Sequence, residues 1–256
     1  MKTAIIYKEG FENYKNKIET IIINEGDQID LISPDICIYL GGDGTFLSSI
    51  NKYLSRLDKM IFLGIKVGKL GFFYEFEMDE FLSAYRKLKN NELKIISYPL
   101  LKGVINDKDI IYGINEIRIE NPFSVLKAKI KINDELLEEF FGNGINVSST
   151  LGSSAYNRSL GGALIDRDIN LLQIKEIAPL NSTCYHNINS PIVINSDKYI
   201  EIDIDSERSI LGYDHYIYDN EKIKKLIISY AEEKNVKVAF SFDYSFIKQL
   251  RKGFIE

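Results

Sequence analysis

The 256-residue sequence predicts an α/β N-terminal domain followed by an all-β, sandwich-like C-terminal domain. Strand-like and helix-like segments alternate over residues 1–92, which is typical of a doubly wound layer with parallel crossovers. From residue 93 onwards, strand-length apolar runs follow one another with short turns between them, which favours an antiparallel sandwich or closed sheet. We assign residues 93–240 to this β-rich domain, and residues 241–256 to a C-terminal segment that returns to the first domain.

The elements of the first domain follow from hydrophobic periodicity. Apolar runs of strand length stand at Thr3–Tyr7, Ile36–Leu40 and Met60–Ile65. Apolar residues at helical spacing predict helices over Phe11–Ile23 and Met78–Leu88, and Thr45 opens a third helix that reaches Leu54. Ligands of such sheets bind at the carboxyl ends of the strands, so the segment after Leu40 is a candidate site.

The second domain consists of strand-length runs separated by turn dipeptides such as Asn106-Asp107 and Asn133-Asp134. The predicted strands are Lys94–Asn106, Lys108–Glu120, Val125–Asn133, Glu135–Ser148, Ile192–Asn195 and Tyr199–Asp205, and the stretch Ile217–Phe242 continues the pattern with Val236–Phe240 as a late strand. A final amphipathic segment over residues 246–251 is predicted to pack on the first domain.

Composition excludes several classes of function. A formal net charge of −5 argues against a large nucleic-acid surface, and no apolar run has the length of a membrane-spanning helix. Cys37 and Cys184 are far apart, and His186 and His215 are the only histidines, so no zinc motif can be assembled. We expect a cytoplasmic protein that binds neither nucleic acid nor a membrane.

The most informative motif is Gly41-Gly42-Asp43-Gly44-Thr45, which connects a buried strand to a helix. Glycines expose backbone N–H groups, and a helix start adds the positive end of its dipole, so the turn suits a phosphate. A carboxylate beside a phosphate suits a bound Mg²⁺ or the acceptance of a proton, and the motif therefore predicts phosphoryl transfer. Ordinary turn chemistry, with Asp43 in an Asx-turn or as a helix cap, is the alternative.

Two further groups of residues suit a nucleoside. Asn115 and Glu116 interrupt an apolar run, and their side chains can hold vicinal hydroxyls, although an exposed polar pair at a bulge would look the same. Residues 142–157 are rich in glycine and serine and end in Ala155-Tyr156, which suits a planar ring, the alternative being a surface loop. Without a Gly-x-Ser-x-Gly elbow or a nearby histidine, this segment does not predict a hydrolase.

The sequence resembles the NAD kinase family in the order and spacing of its motifs. The matching residues are Gly41-Gly42-Asp43-Gly44-Thr45, Asn115-Glu116, Gly152-Ser153-Ser154-Ala155-Tyr156 and Gly161-Gly162, together with the Gly64–Phe72 segment and Asp214-His215. The resemblance implies an active site in the cleft between two domains. It also implies transfer of the γ-phosphoryl group of ATP to the 2′-hydroxyl of the adenosine ribose of NAD, which forms NADP.

The resemblance further implies a role for each motif. Asp43 would take the hydroxyl proton or orient that oxygen, and Mg²⁺ or another divalent cation would arrive with the nucleotide without a separate protein metal site. The chain would form a homodimer or homotetramer through the β-rich domain. The donor phosphates would lie against Gly41, Gly42, Gly44 and Thr45, and NAD would contact Asp43, Gly44, Phe72, Asn115, Glu116, Asn143, Ser154, Ala155, Tyr156 and Ser159.

Three residues depart from the family pattern. Leu151 replaces a hydroxyl residue, Asn143 replaces a carboxylate that would reach a neighbouring subunit's pocket, and Lys69 stands where Asn or His is common. Two other functions are compatible with the Gly loop: a lipid kinase of the diacylglycerol kinase type and a non-catalytic nucleotide-binding regulator. The Ser-rich segment argues against the first, and the filled catalytic positions argue against the second. Polyphosphate as donor and NADH as acceptor both stay open.

Overall fold

The computed structural model describes residues 1–67, 71–183 and 185–255, so Lys69 and Cys184 lie outside the described residues. The chain divides into two compact units, Met1–Tyr98 with Glu233–Glu256 and Pro99–Glu232. The predicted fold class, α/β followed by β-rich, is confirmed. Among the described helices, none combines the length and the apolar character that crossing a membrane requires.

The N-terminal part alternates strands with helices as the sequence predicts. In chain order its elements are β1 (Lys2–Tyr7), α1 (Glu12–Asn24), β2 (Gln28–Ile29), β3 (Ile36–Gly41), α2 (Asp43–Lys52), β4 (Ile61–Lys66), β5 (Phe76–Glu77) and α3 (Phe81–Lys89). Short 3₁₀ turns at Leu57–Lys59 and Met78–Glu80 precede β4 and α3.

The remainder consists mainly of strands. In chain order these elements are β6 (Lys94–Ile105), β7 (Asp109–Gly113), β8 (Glu116–Glu120), β9 (Leu126–Ile132), β10 (Glu135–Gly142), β11 (Gly144–Ser148), α4 (Tyr156–Ser159), β12 (Leu171–Ile177), β13 (Ile192–Asn195), β14 (Ile200–Ile204), β15 (Ile210–Tyr213), β16 (Tyr216–Tyr218), β17 (Lys225–Phe240) and α5 (Phe246–Phe254). The sequence prediction did not identify β2, β5, β12 or β15.

The first unit is built on a parallel sheet in which β1 lies between β2 and β3, and β3 pairs with β4. All six residues of β3 are buried, as expected for a strand covered on both faces. On one face, Ile36, Ile38 and Leu40 pack with residues of α1 and α3. On the other face, the ring of Tyr39 lies 4.9 Å from that of Phe46 on α2. This packing fixes the carboxyl end of β3, where the Gly loop begins.

The second unit is a sandwich of two antiparallel sheets. One contains β10, β9, β14 and the first part of β17, and the other has the order β13-β12-β11-β8-β15-β16. Alternate residues of β8 and β11, such as Ile117 and Val147, are fully buried and pack with Ile130, Ile202 and Ile228 of the facing sheet. Each such side chain contributes about 1.5–3 kcal/mol by burial. The opposite face of β8 and β11 is polar.

Two long predicted strands are each two strands in the structure. The run 108–120 is divided at Ile114 and Asn115 into β7 and β8, and the run 135–148 is divided at Asn143 into β10 and β11. The sequence analysis ends the β-rich domain at residue 240, whereas the second unit of the structure ends at Glu232. β17 explains this difference, because its residues from Lys225 pair with β14 whereas Lys237 pairs with Ile61 of β4.

The buried carboxyl groups of Glu138 and Glu176 accept hydrogen bonds from the backbone of the segment that precedes β13. The N–H of Ile188 lies 3.3 Å from Glu138 Oε2 and 3.1 Å from Glu176 Oε1, and the N–H of Asn189 lies 2.6 Å from Glu176 Oε2. Both glutamates are buried. Burial, followed by the charge of Glu176, raises the pKa of Glu138, so the folded protein favours the protonated form of Glu138.

We expect Glu138→Gln to reduce the pH dependence of stability. A carboxyl group with a raised native pKa contributes stability that is present at acid pH and lost as pH rises through that pKa. The wild-type melting temperature should therefore fall between about pH 5 and about pH 8, and the neutral amide should remove part of that fall. Glu139→Gln, at an exposed neighbour paired with Lys129, is the control and should keep it. Identical pH profiles of the melting temperature for wild type and Glu138→Gln would contradict the raised pKa of Glu138.

Candidate functional site

The Gly loop joins the end of β3 to the first turn of α2. Gly41 has φ +146°, and a Cβ there would overlap Thr45 Oγ1, so the position requires glycine. Gly42 is extended and precedes the helix, and the N–H of Thr45 donates to its carbonyl oxygen at 2.8 Å. Among the described residues, no atom outside the adjacent residues and the local helix backbone lies within 4 Å of the Cβ position of Gly42 or Gly44. The start of α2 therefore presents an open surface with the positive end of the helix dipole.

Asp43 is held by backbone groups about thirty residues along the chain. Its Oδ1 accepts from the N–H of Phe72 at 2.8 Å and from that of Phe73 at 3.3 Å, and its Oδ2 lies 3.1 Å from Phe72 N. The hydroxyl of Tyr74 donates to the Gly42 carbonyl, and that of Tyr39 donates to Phe73 O at 2.5 Å. These bonds fix the half-buried carboxylate within the glycine loop. An Asx-turn or a helix cap would need only bonds to adjacent residues, so these long-range bonds argue against ordinary turn chemistry as the role of Asp43.

Phe72 packs against α5, the C-terminal helix of the same unit. Its side chain is buried, and its ring centroid lies 5.0 Å from that of Phe254 on α5. A Cβ at Gly253 would lie 2.6 Å from the Phe72 ring, so this glycine allows the close approach of α5. Burial, and then the charge of Asp43, raises the pKa of the neighbouring Tyr74, which therefore stays a hydrogen-bond donor.

In the second unit, Asp214 holds the break between β7 and β8. Its carboxylate accepts from three consecutive backbone N–H groups, those of Ile114 at 2.9 Å, Asn115 at 2.7 Å and Glu116 at 3.4 Å. Its own N–H donates to the Glu116 carbonyl at 3.0 Å. Burial raises the pKa of Asp214, and the three donors oppose that rise. The clamp determines where the side chains of Asn115 and Glu116 lie.

Asn115 and Glu116 are buried and incompletely paired. They are 7% and 4% exposed, which excludes an exposed pair at a bulge. Within the described residues, Asn115 Oδ1 and Glu116 Oε2 have no hydrogen-bond partner. Burial, followed by the charges of Asp214 and Glu120, raises the pKa of Glu116 to about 8, while Arg118 opposes the rise. An unpaired buried polar atom costs about 1–3 kcal/mol, so these atoms indicate a ligand-binding position.

The Ser-rich segment packs directly against this break. Ser149 Oγ donates to Ile114 O at 2.5 Å, and Ser149 N donates to Asn115 O at 2.9 Å. A Cβ at Gly152 would overlap Asn115 O, so only glycine fits there. Residues 148–153 are all buried, which excludes a surface loop. Further along the chain, the side chain of Gln173 binds the backbone of Ala163: Gln173 Oε1 accepts from Ala163 N at 2.7 Å, and Gln173 Nε2 donates to Ala163 O at 3.1 Å.

The other residues predicted from the sequence lie nearby in this unit. Ser154, Ala155 and Tyr156 are half-buried, and Ser159 is exposed at the end of α4. Ser154 Oγ donates to the carbonyl of the buried Leu151 at 3.4 Å. Asn143 Nδ2 donates to Asn121 O at 3.1 Å, within its own chain.

Sequence reasoning missed several residues of this region. Asn146 and Asn157 are fully buried, and neither amide group has a partner among the described residues. Tyr230 accepts from the N–H of Thr150 and donates to Leu171 O, both at 3.0 Å. An asparagine inside the apolar strand Ile145–Val147 is the signal that could have identified Asn146. The cause of the strand break is Asp214, about a hundred residues away, so no local pattern identifies this cause.

Each unit therefore brings one set of predicted residues together. Gly41 to Thr45 lie with Phe72 in the first unit, and Asn115, Glu116 and the Ser-rich segment lie together in the second. In the described part of the chain, no group of three or more His, Cys, Asp or Glu side chains is placed to hold a metal ion. The first set can bind a phosphate beside a fixed carboxylate, and the second can bind hydroxyl groups.

Comparison with known proteins points to one family. Residues 114–238 match the family model of the ATP-NAD kinase C-terminal domain. The NAD kinase of Lactobacillus gasseri is 35% identical over 233 residues, covering 88% of this chain and 87% of the relative. NAD kinase 1 of Halalkalibacterium halodurans is 30% identical over 247 residues, covering 94% of this chain and 93% of the relative.

Two solved structures share the fold. The crystal structure of yeast NADH kinase complexed with NADH has a TM-score of 0.85 at 16% identity, covering 98% of this chain and 86% of that one. The crystal structure of an NAD kinase from Archaeoglobus fulgidus in complex with ATP has a TM-score of 0.81 at 20% identity, covering 98% of both chains.

We expect Gly152→Ala to destabilise the second unit, because its Cβ would overlap the Asn115 carbonyl. The loss in the free energy of unfolding should be about 1–3 kcal/mol, the usual cost of overpacking. Gly44→Ala is the matched control, since its Cβ finds open space on α2 and alanine favours a helix. Chemical denaturation of the three proteins measures the difference. Equal stability of Gly152→Ala and wild type would show that the contact with Asn115 is not tight.

Proposed function

Because this chain belongs to the NAD kinase family, we propose that it transfers the γ-phosphoryl group of ATP to the 2′-hydroxyl of the adenosine ribose of NAD. The observation that carries this proposal is the carboxylate of Asp43, fixed by the N–H groups of Phe72 and Phe73 at the glycine-lined start of a helix. Such a site combines an anion-binding turn with a group that accepts a proton, as phosphoryl transfer to a hydroxyl requires.

In this proposal the first unit binds the donor and supplies the base. The phosphates lie against the backbone of Gly41, Gly42, Gly44 and Thr45, where N–H groups and the helix dipole offset negative charge. Mg²⁺ or another divalent cation accompanies the nucleotide and neutralises charge on its phosphates. Asp43 orients the 2′-hydroxyl and accepts its proton as the bond to phosphorus forms.

The second unit binds NAD. Asn115 and Glu116 hold the ribose hydroxyls and phosphates, which supplies partners for the buried Asn115 Oδ1 and Glu116 Oε2. Ser154, Ala155 and Tyr156 frame the adenine with Ser159 nearby, and Phe72 is a further residue that we propose contacts NAD. Leu151 takes the place of a hydroxyl at the adenine edge. In a homodimer or homotetramer, Asn143 reaches the pocket of a neighbouring chain. The setting we propose for this enzyme is the cytoplasm.

The comparisons favour this function over a lipid kinase or a regulator without activity. The relatives that cover most of the chain are named NAD kinase, and the two structural neighbours were solved with NADH and with ATP. Those names leave the donor and acceptor of this chain open, so polyphosphate and NADH belong in the test.

The decisive experiment incubates the purified protein with NAD, ATP and Mg²⁺ and measures NADP with an NADP-specific dehydrogenase. We expect NADP to form only when all three are present. Parallel reactions replace ATP by polyphosphate, NAD by NADH, and NAD by diacylglycerol in mixed micelles. Formation of phosphatidate without any NADP would support a lipid kinase. Binding of both nucleotides without a phosphorylated product would support a regulator.

We expect Asp43→Asn to lower kcat by about 10²-fold or more, the usual effect of removing a general base. The fold should persist, because the amide oxygen can still accept from Phe72 N. Asp58→Asn, at an exposed position of the same unit, is the control and should keep wild-type turnover. Wild-type kcat in Asp43→Asn would remove Asp43 from the mechanism.

A further inference from the structure

Arg118 contacts several of the residues that line the polar face of β8. Its Nη1 lies 3.6 Å from Glu116 Oε1 and donates to the backbone carbonyl of Asp214 at 3.0 Å. Its Nε lies 3.2 Å from Glu120 Oε2. Its guanidinium carbon lies 5.3 Å from the centroid of the Tyr156 ring, within the range of a cation–π contact.

These contacts form a closed network on one face of the sheet. The hydroxyl of Tyr156 lies 3.3 Å from Glu120 Oε1, so Glu120 connects the ring and the guanidinium. Gly212 lies opposite Arg118 on β15, and a Cβ there would approach the guanidinium carbon to 2.8 Å. Because glycine has no side chain, Gly212 leaves room for the guanidinium of Arg118. Each half of the network supports a group assigned to NAD binding, Glu116 on one side and Tyr156 on the other.

We propose that Arg118 is a positioning residue for NAD binding, which holds the Glu116 carboxylate and the Tyr156 ring in place for the adenosine half of the dinucleotide. This inference rests on the proposed function. Arg118 acts through these two groups, and the structure shows it engaged by protein atoms on three sides. An ionised Glu116 accepts hydrogen bonds from ribose hydroxyls, whereas the protonated form has lost part of that capacity.

Burial and the surrounding charges together set the pKa of Glu116. Asp214 from the β15–β16 turn and Glu120 from β8 disfavour the charge, and Arg118 favours it. In the described part of the chain, Tyr156 of α4 and His215, next to Asp214, are further titratable groups at this cluster. Burial, which is the largest cause, and the charges of Asp214 and Glu120 outweigh the charge of Arg118 and raise the pKa of Glu116 to about 8. NAD affinity should therefore rise as pH increases through this value. Loss of Arg118 should move the rise to higher pH.

Lysine cannot replace the guanidinium fully. It keeps the positive charge but lacks the planar fork that reaches Glu116, Glu120 and the ring of Tyr156 at the same time. Charge and geometry can thus be separated by two substitutions. Arg118→Lys retains the charge and loses the geometry, and Arg118→Leu loses both.

The test measures NAD affinity by calorimetry, and kcat and KM for NAD by the NADP assay, at several values between about pH 6 and about pH 9. Arg118→Leu should weaken NAD binding by about 10-fold or more, since hydrogen bonds to charged groups have this magnitude. It should raise KM more than it lowers kcat and move the pH-dependent rise upward. Arg118→Lys should weaken binding without moving that rise. Glu116→Gln should abolish the rise, and Lys129→Met, at an exposed ion pair, controls for loss of one charge.

Two results would overturn the inference. One is wild-type affinity in Arg118→Leu at every pH. The other is a uniform loss of affinity with an unmoved pH profile, which would show a merely structural role. If Arg118→Leu is unfolded, as its melting curve would show, Arg118→Lys decides alone, and wild-type affinity in that variant overturns the inference. NADP formation by the wild type tests the proposed function separately. Failure of the proposed function and failure of the role of Arg118 therefore give different results.

Discussion

The polar face of the second unit depends on one carboxylate, that of Asp214. Strand pairing would normally satisfy the N–H groups of residues 114–116, but here a side chain accepts all three. The strand therefore breaks at Asn115, and the carbonyl groups of Ile114 and Asn115 become available to Ser149. The Ser-rich segment is anchored on this break, and Gly152 is required because the segment passes so close to the Asn115 carbonyl.

The same type of bond fixes the candidate catalytic carboxylate of the first unit. Asp43 accepts from the backbone of Phe72 and Phe73, and the hydroxyl groups of Tyr39 and Tyr74 hold the two segments together. Backbone donors suit this task because their positions are set by the fold and their orientation costs little side-chain entropy. A carboxylate held in this way needs no reorganisation when a substrate hydroxyl arrives, which is the condition for efficient electrostatic catalysis.

The sequence predicted the local features well and the long-range ones poorly. The Gly loop and the strand before it were placed correctly, because an apolar run ending in glycines is a local signal. The break at Asn115 was missed as a strand boundary, since its cause is Asp214, about a hundred residues away. β12 was missed because Leu171, Ile174 and Ile177 are three residues apart, which fits a helix as well as a strand. The burial of Asn115 and Glu116 likewise depends on residues 149–152, which no local pattern reveals.

The alternation of side chains along a strand separates stability from binding in the second unit. Ile117 and Ile119 of β8 face the apolar core, while Glu116, Arg118 and Glu120 lie on the opposite face. The core can therefore stabilise the strand while the other face keeps buried polar atoms, such as Glu116 Oε2 and the amide atoms of Asn146, that have no partner among the described residues. Those unpaired atoms reduce the stability of the free protein, and a ligand that pairs with them recovers the lost free energy as affinity. A specific binding site thus requires a polar face whose hydrogen bonds are incomplete in the free chain. Burial of the apolar face of the same strands offsets the loss of stability that these unpaired atoms cause.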